Sequence, residues 1–514
     1  MYPGTHAATA PDRVAAQLLD TGEQLTYGTL EEQSVRLANV LRDAGLRRGD
    51  VVALLTDNDL RAFVVFWAAL RTGCYITSIN HNLAPEEVAY IVDDSGATAL
   101  IVSANKAEVA EKVLAATPNV RLRLAFGGAV GGFDSYEDVL AAASDVAPAD
   151  QPHGMPMLYS SGTTGRPKGV RPALPDAQIT DVGDPMMALL VKSFGMTPDT
   201  VYLSPAPLYH AAPLRWCAAV QAGGGTVLVQ RKFDAEGCLG AIQEHRVTHA
   251  QFVPTMFVRM LQLPDEVRSG YDVSSLKLAV HAAAPCPVEV KQRMIDWWGP
   301  ILVEYYGATE GNTMTMVDSP TWLRKPGTVG KPAIGVLHVC DDEGRELPVG
   351  EDGAVFVERE GIVFTYHNDP EKTKAGQHPD HENWTTLGDI GHVDDDGFLF
   401  LTDRKAFMII SGGVNIYPQE TENVLALHPA VHDVAVIGLP DPEMGEYVAA
   451  FVQPQQGVVT GPDLEAEIIT FVKSRIASYK APKAVRFVDS LPRTETGKLV
   501  KGELKRGVLA AEGG

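Results

Sequence analysis

The chain is poor in cysteine, with five in 514 residues, and none of the five (Cys74, Cys217, Cys238, Cys286, Cys340) lies in a CxxC pair. An odd, scattered set excludes a disulfide framework and a cysteine zinc site, and favours reduced thiols in a cytoplasmic protein. Positive charge is also short: 43 Lys and Arg face 65 Asp and Glu, a formal net charge of −22. Nucleic acids and anionic membrane surfaces, which require clustered cations, are therefore not expected partners. No apolar run reaches the roughly 20 residues of a membrane span. The opening MYPGTHAATAPDRVAA lacks the basic-then-apolar order of a secretory leader, so none is expected. No GxSxG is present, which argues against a serine hydrolase.

What is present is the composition of a globular enzyme, 45% hydrophobic and 21% charged, in a chain long enough for at least two domains. The first 150 residues alternate helix and strand signals. Thr29-Leu30-Glu31-Glu32 has capping-box spacing ahead of a helical pattern, and VVALL (51–55) is a continuous apolar run suited to a buried parallel strand. A helix over 59–71, a Pro85-initiated helix and TALIV (98–102) repeat the alternation, and GTVLVQ (225–230), HAQFV (249–253) and KLAVHA (277–282) resume it. Beyond about 325, period-two stretches with turns at Glu343-Gly344 and Asp352-Gly353 predict a small antiparallel, barrel-like subdomain. The segment 396–418 reads as a strand pair around a break at Asp403-Arg404-Lys405, followed by a compact α+β C-terminal domain.

The stretch YSSGTTGRPKGV (159–170) follows the apolar MPMLY (155–159) and combines glycines, hydroxyls and a lysine, the ingredients of a loop that wraps an anion. It fits neither the Walker spacing nor GxGxxG. It does closely resemble the phosphate loop of the adenylate-forming superfamily, which comprises acyl- and aryl-CoA synthetases, adenylation domains and beetle luciferases. YYGATEG (305–311), TLGDIGHVDDDGFLFLTDRK (386–405), SGGVNIYPQETE (411–422) and PRTETGKLVKGELK (492–505) look like its later signatures in family order. The wording is closest to bacterial fatty-acyl-CoA ligases.

The resemblance implies a large N-terminal α/β domain (1–403), a hinge (404–406) and a mobile C-terminal domain (407–514). It implies that Ser160, Ser161, Gly162, Thr163, Thr164, Gly165 and Lys168 hold the β- and γ-phosphates of ATP. Ala283 and Ala284 would line the adenine, with Tyr306 stacking on it beside Gly307. Thr309 would bond the α-phosphate, Glu310 and Thr164 would serve Mg²⁺, and Asp389 and Arg404 would grip the ribose. Lys498 would catalyse adenylation, and Ser411, Gly412 and Gly413 would present backbone to the thiol of coenzyme A. His210, Trp216, His281 and Gly307 would line the acyl pocket, His210 as its gate. The family's usual polar hinge residue is replaced by Ala406, and Phe407 stands where an acid is common.

PLYHAAPLRW (207–216) offers no acid to hold an ammonium, which disfavours an amino-acid substrate. Its alanines suit a medium- or long-chain, branched or alicyclic carboxylate. The expected activity is an ATP- and Mg²⁺-dependent acid–thiol ligase that makes acyl-CoA. Loading of a carrier-protein phosphopantetheine arm or activation of an aryl acid are the alternatives, and a homodimer stays open. Ten Lys or Arg against three acids in 471–506 suggest a surface for the phosphates of coenzyme A. His378 and His381 read as surface histidines rather than metal ligands, and Cys286 as structural.

Overall fold

An apolar run without alternation can be a strand only where both faces are covered. Val51–Leu55 meets that condition, with all five residues buried. It lies inside a six-stranded parallel sheet ordered Asp134–Ser135, Leu122–Phe126, Ala97–Ser103, Val51–Leu55, Tyr75–Ile79, Met155–Pro156. The helix Arg61–Arg71 buries every residue after Arg61 and joins this sheet to the next through Trp67, whose Nε1 donates to Gln221 Oε1 at 2.7 Å. This computed structural model describes residues 1–160, 167–361, 363–493 and 499–512.

The first long helix starts earlier than its capping-box spacing predicts. It spans Tyr27–Asp43, and Thr26 rather than Thr29 is the cap, accepting from the Thr29 backbone N–H. The reason is tertiary: Tyr27 is fully buried and its hydroxyl reaches the carbonyls of Gln221 and Gly225 at 3.0 and 2.8 Å. That anchor fixes the helix start where the strand Gln24–Thr26 ends.

A second sheet has thirteen strands. Its parallel part includes Val201–Ser204, His249–Phe252, Leu278–His281 and Leu302–Gly307, and it turns antiparallel at Met314–Asp318. The antiparallel strands Thr328–Ile334, Leu399–Arg404, Trp384–Val393, Gly353–Glu358 and Val336–Cys340 continue it. Ligand sites of open α/β sheets lie beyond the carboxyl ends of parallel strands, and the change of direction places that edge beside Asp389 and Arg404. The expected strand pair across 396–418 does not form. Leu399–Arg404 pairs with Trp384–Val393, whereas Ile409–Ser411 opens a separate five-stranded sheet of the smaller C-terminal domain. The break at Asp403-Arg404-Lys405 therefore separates two sheets, with the single turn Lys405–Phe407 between them.

Candidate active site

Four strands converge on one cavity of about 620 Å³. Leu278–His281 runs into Ala283, which has a φ of 75°. That left-handed conformation costs an alanine about 1–2 kcal/mol, and it lays the backbone of Ala283 and Ala284 along the cavity wall. Leu302–Gly307 brings Tyr306 and Gly307 to the same wall. A Cβ on Gly307 would stand 3.2 Å from the Thr313 carbonyl, so the close backbone approach there suits glycine.

Trp384–Val393 and Leu399–Arg404 supply Asp389 and Arg404, which are directly opposed across their antiparallel ladder. Asp389 Oδ2 accepts from the Tyr306 hydroxyl at 2.6 Å, and its Oδ1 accepts from Arg404 Nε at 3.0 Å. Burial and the adjacent Asp389 push the Tyr306 phenol well above its ordinary range, so it remains a donor. Burial works against the Arg404 charge, but Asp389, Tyr306 and Glu310 outweigh it and raise the pKa.

Thr309 and Glu310 occupy the turn after Gly307. Glu310 Oε1 accepts from the Tyr366 hydroxyl at 2.8 Å, and the Lys168 ammonium lies 5.5 Å from the Tyr366 ring. Tyr366 is a contact the sequence reading missed; its only local signal was a place just ahead of the helix-initiating Asp369-Pro370. Lys168 begins a strand paired with Leu158–Ser160. Ser161, Gly162, Thr163, Thr164, Gly165 and Lys498 lie outside the described residues.

The four residues expected around the acyl group do not gather on this cavity, where only Gly307 contributes. His210 precedes the helix Ala211–Ala222, with its ring 4.2 Å from that of Tyr209. Trp216 is core: it is 1% exposed and packs against Phe194, Tyr202 and Tyr305. His281 is fully buried behind the wall, where Nε2 lies 3.7 Å from Glu304 Oε2 and its ring faces Phe257. Burial and the nearby Lys291 hold its pKa well down, so it is neutral. Lys291 Nζ donates to the same Glu304 oxygen at 2.6 Å and lies over Trp322. Burial raises the Glu304 pKa and Lys291 opposes it, so this pair is an internal brace under the strand that carries Tyr306.

The C-terminal domain closes the cavity with Gln419, Glu422, Asp433, Arg493, Leu499 and Lys501. Arg493 grips Asp433 with Nε–Oδ2 at 2.5 Å and Nη2–Oδ1 at 2.7 Å, and Lys501 pairs with buried Glu422 at 2.9 Å. Ser411, Gly412 and Gly413 are not part of that wall. Gly412 and Gly413, at φ of 58° and 77°, form a tight turn between Ile409–Ser411 and Val414–Ile416, which explains the glycine pair locally. Ala406 sits in the Lys405–Phe407 turn, where Lys405 reaches Asp342 at 2.5 Å and Phe407 lies under Lys501 at 5.3 Å.

Two expectations are corrected. His378 is not a surface histidine: it is 4% exposed, with Nε2 against the Gly344 carbonyl at 2.8 Å and its ring against Phe356 and Trp384. The missed signal is the aromatic neighbourhood, Trp384 close by in sequence and Phe356 from the strand Gly353–Glu358. Among the described residues no group of three or more His, Cys, Asp or Glu could hold a metal. The basic stretch is also less available than its composition suggests, because Lys480, Lys483, Arg493, Lys501 and Lys505 pair with Glu420, Asp441, Asp433, Glu422 and Glu446. Cys286 lines the cavity with its thiol pKa raised by burial, as an inert thiol should be.

Residues 4–367 match the AMP-binding enzyme family, and residues 420–498 match the AMP-binding enzyme C-terminal domain. The chain is 35% identical to a feruloyl-CoA synthase of an Amycolatopsis species over 98% of both chains. It is 32% identical to a long-chain-fatty-acid–CoA ligase of Mycobacterium tuberculosis over 97% of this chain and 96% of that one. The ATP-bound structure of MatB from Rhodopseudomonas palustris superposes with a TM-score of 0.81 at 29% identity, covering 99% of each chain. The cavity is thus set in a fold shared along its whole length, and the chain belongs to the AMP-binding enzymes, the adenylate-forming family of acid–CoA ligases.

Proposed function

We propose that this enzyme activates a carboxylic acid with ATP and transfers the acyl group to coenzyme A. The observation that carries the reading is the convergence of Ala283–Ala284, Tyr306, Asp389 and Arg404 on one cavity. A flat backbone strip and a phenol ring suit a purine, and a buried carboxylate steadied by an arginine suits two ribose hydroxyls. In the first step a carboxylate oxygen attacks the α-phosphorus, and the bond to the bridging oxygen of pyrophosphate breaks. Two anions must meet, so the barrier is largely electrostatic, and fixed cations lower it. Lys168 and Lys498 are the residues for that work, Lys168 at the leaving group and Lys498 between the reacting oxygens. In the second step the thiol sulfur attacks the acyl carbonyl, AMP leaves, and the thiol proton passes to solvent.

Glu310 fits Mg²⁺. Its carboxylate is a hard oxygen donor held in place by Tyr366, and a lone carboxylate is normal where substrate phosphates supply the remaining ligands. When bound, the ion neutralises polyphosphate charge, and Thr164 is the second candidate ligand. The cytoplasm remains the proposed location. Among the described residues no helix is long and apolar enough to cross a membrane.

For the acid, a medium- or long-chain, branched or alicyclic carboxylate is the reading that the alanine-rich, acid-free helix Ala211–Ala222 supports, and it agrees with the name of the mycobacterial relative. An aryl acid is the second reading. The name of the feruloyl-CoA synthase relative favours it. A pooled-acid assay with ATP, Mg²⁺ and coenzyme A, read by mass spectrometry, decides between them and names the substrate. Acyl-adenylate without thioester in every pool would replace coenzyme A with a carrier-protein acceptor.

A further inference from the structure

The segment after residue 362 docks beside the strand Lys168–Val170. His367 N–H donates to the Gly169 carbonyl at 2.8 Å, Val170 bridges Tyr366, and the Thr373 hydroxyl accepts from the Tyr366 N–H at 3.0 Å. Asp369 then caps the short helix Pro370–Ala375, accepting from the Lys372 N–H at 2.8 Å. This arrangement brings the Lys372 side chain close enough to Lys168 for its charge to be felt there, together with those of Asp369 and Glu310.

Two like charges brought together by a built backbone contact are unfavourable unless something anionic sits between or above them. Burial and the Lys372 charge both lower the Lys168 pKa, and Asp369 and Glu310 offset this only in part. Asp369 is committed to the helix cap and Glu310 to the Tyr366 hydroxyl. Lys372 is exposed on its outer side, so an incoming polyanion can reach it.

We infer that Lys372 is a second polyphosphate-binding residue, which with Lys168 forms a two-lysine clamp on the β- and γ-phosphates of ATP and on the departing pyrophosphate. The inference rests on the reading of the cavity as an ATP site. It makes the segment 365–375 a recognition element for the leaving group, with Tyr366 holding Glu310 on one side and Lys372 joining Lys168 on the other.

The test is calorimetric binding of ATP, pyrophosphate and AMP, each with Mg²⁺, to the wild type and to Lys372→Ala and Lys372→Arg. AMP lacks the phosphates in question and reports the integrity of the Tyr306–Asp389–Arg404 half of the cavity. The expected result is that Lys372→Ala weakens ATP and pyrophosphate on the order of ten- to a hundredfold, leaves AMP unchanged, and is largely restored in Lys372→Arg. Unchanged ATP affinity in Lys372→Ala overturns the clamp. So does an equal loss for ATP and AMP, which would mark Lys372 as merely structural. A wild type that binds neither ATP nor AMP overturns the ATP reading itself, and the clamp with it.

Discussion

Asp389 and Arg404 face each other across adjacent antiparallel strands, and the carboxylate accepts from the guanidinium at 3.0 Å while its other oxygen takes the Tyr306 hydroxyl. The Asp389 side chain is only 9% exposed while that of Arg404 is 33% exposed, so the carboxylate end of the pair is desolvated and the guanidinium is half-buried. Both Asp389 oxygens are thus occupied before any nucleotide arrives, so a ribose must share or displace these partners.

Asp389→Asn should therefore weaken AMP binding by about two orders of magnitude, because the amide loses the charge and one acceptor while Arg404 is left under-compensated. Titration of AMP followed by Tyr and Trp fluorescence would measure it. Unchanged affinity would move the ribose elsewhere in the cavity.

Much of this geometry was legible beforehand and some was not, for identifiable reasons. Val51–Leu55 and Leu278–His281 announce themselves because burial on both faces leaves an uninterrupted apolar run. Asp389, Arg404 and Tyr306 were visible only as motif positions, since nothing in the local pattern says that residues 83 positions apart will touch. Tyr366 and Lys372 escaped because their partners, Glu310 and Lys168, come from other elements. His281 and Trp216 misled for a related reason: the strand phase and the helix face turn these side chains into the core.

The buried Lys291–Glu304 pair supports the strand that ends in Tyr306, and its two side chains are 0% and 7% exposed. Lys291→Met strands the Glu304 charge beside a neutral His281 and should cost about 3–5 kcal/mol. The double variant with Glu304→Gln removes the uncompensated charge and should recover most of that loss. Urea unfolding followed by fluorescence compares the three proteins. Equal midpoints for single and double variants would show that the pair is not coupled.

Lys168 gives a pH dependence with a definite sign. Burial, then Lys372, lowers its pKa from the ordinary 10.5, so the charged form is lost at a lower pH than for a solvated lysine. ATP affinity should therefore fall as pH rises through that lowered value, beginning below the usual lysine range. Lys168→Arg should abolish the fall, because guanidinium stays charged. Lys372→Ala removes one of the lowering influences and should move the limb to higher pH. An alkaline limb identical in all three proteins would assign it to another group.

The role proposed for Lys498 should separate the two half-reactions. In sequence Lys498 stands between Arg493 and Leu499, both of which line the cavity from the C-terminal domain. Ser411, Gly412 and Gly413 are absent from that lining. Lys498→Ala should lower acyl-adenylate formation by orders of magnitude, since a cation between two approaching oxyanions acts on the transition state more than on bound ATP. ATP affinity should change little. Acyl-adenylate supplied in chemically made form should still react with coenzyme A, because thiol attack on an activated carbonyl has no second anion to neutralise at phosphorus. Rapid-quench assays of each half-reaction measure the split. Equal loss in both would show that Lys498 is not specific to adenylation.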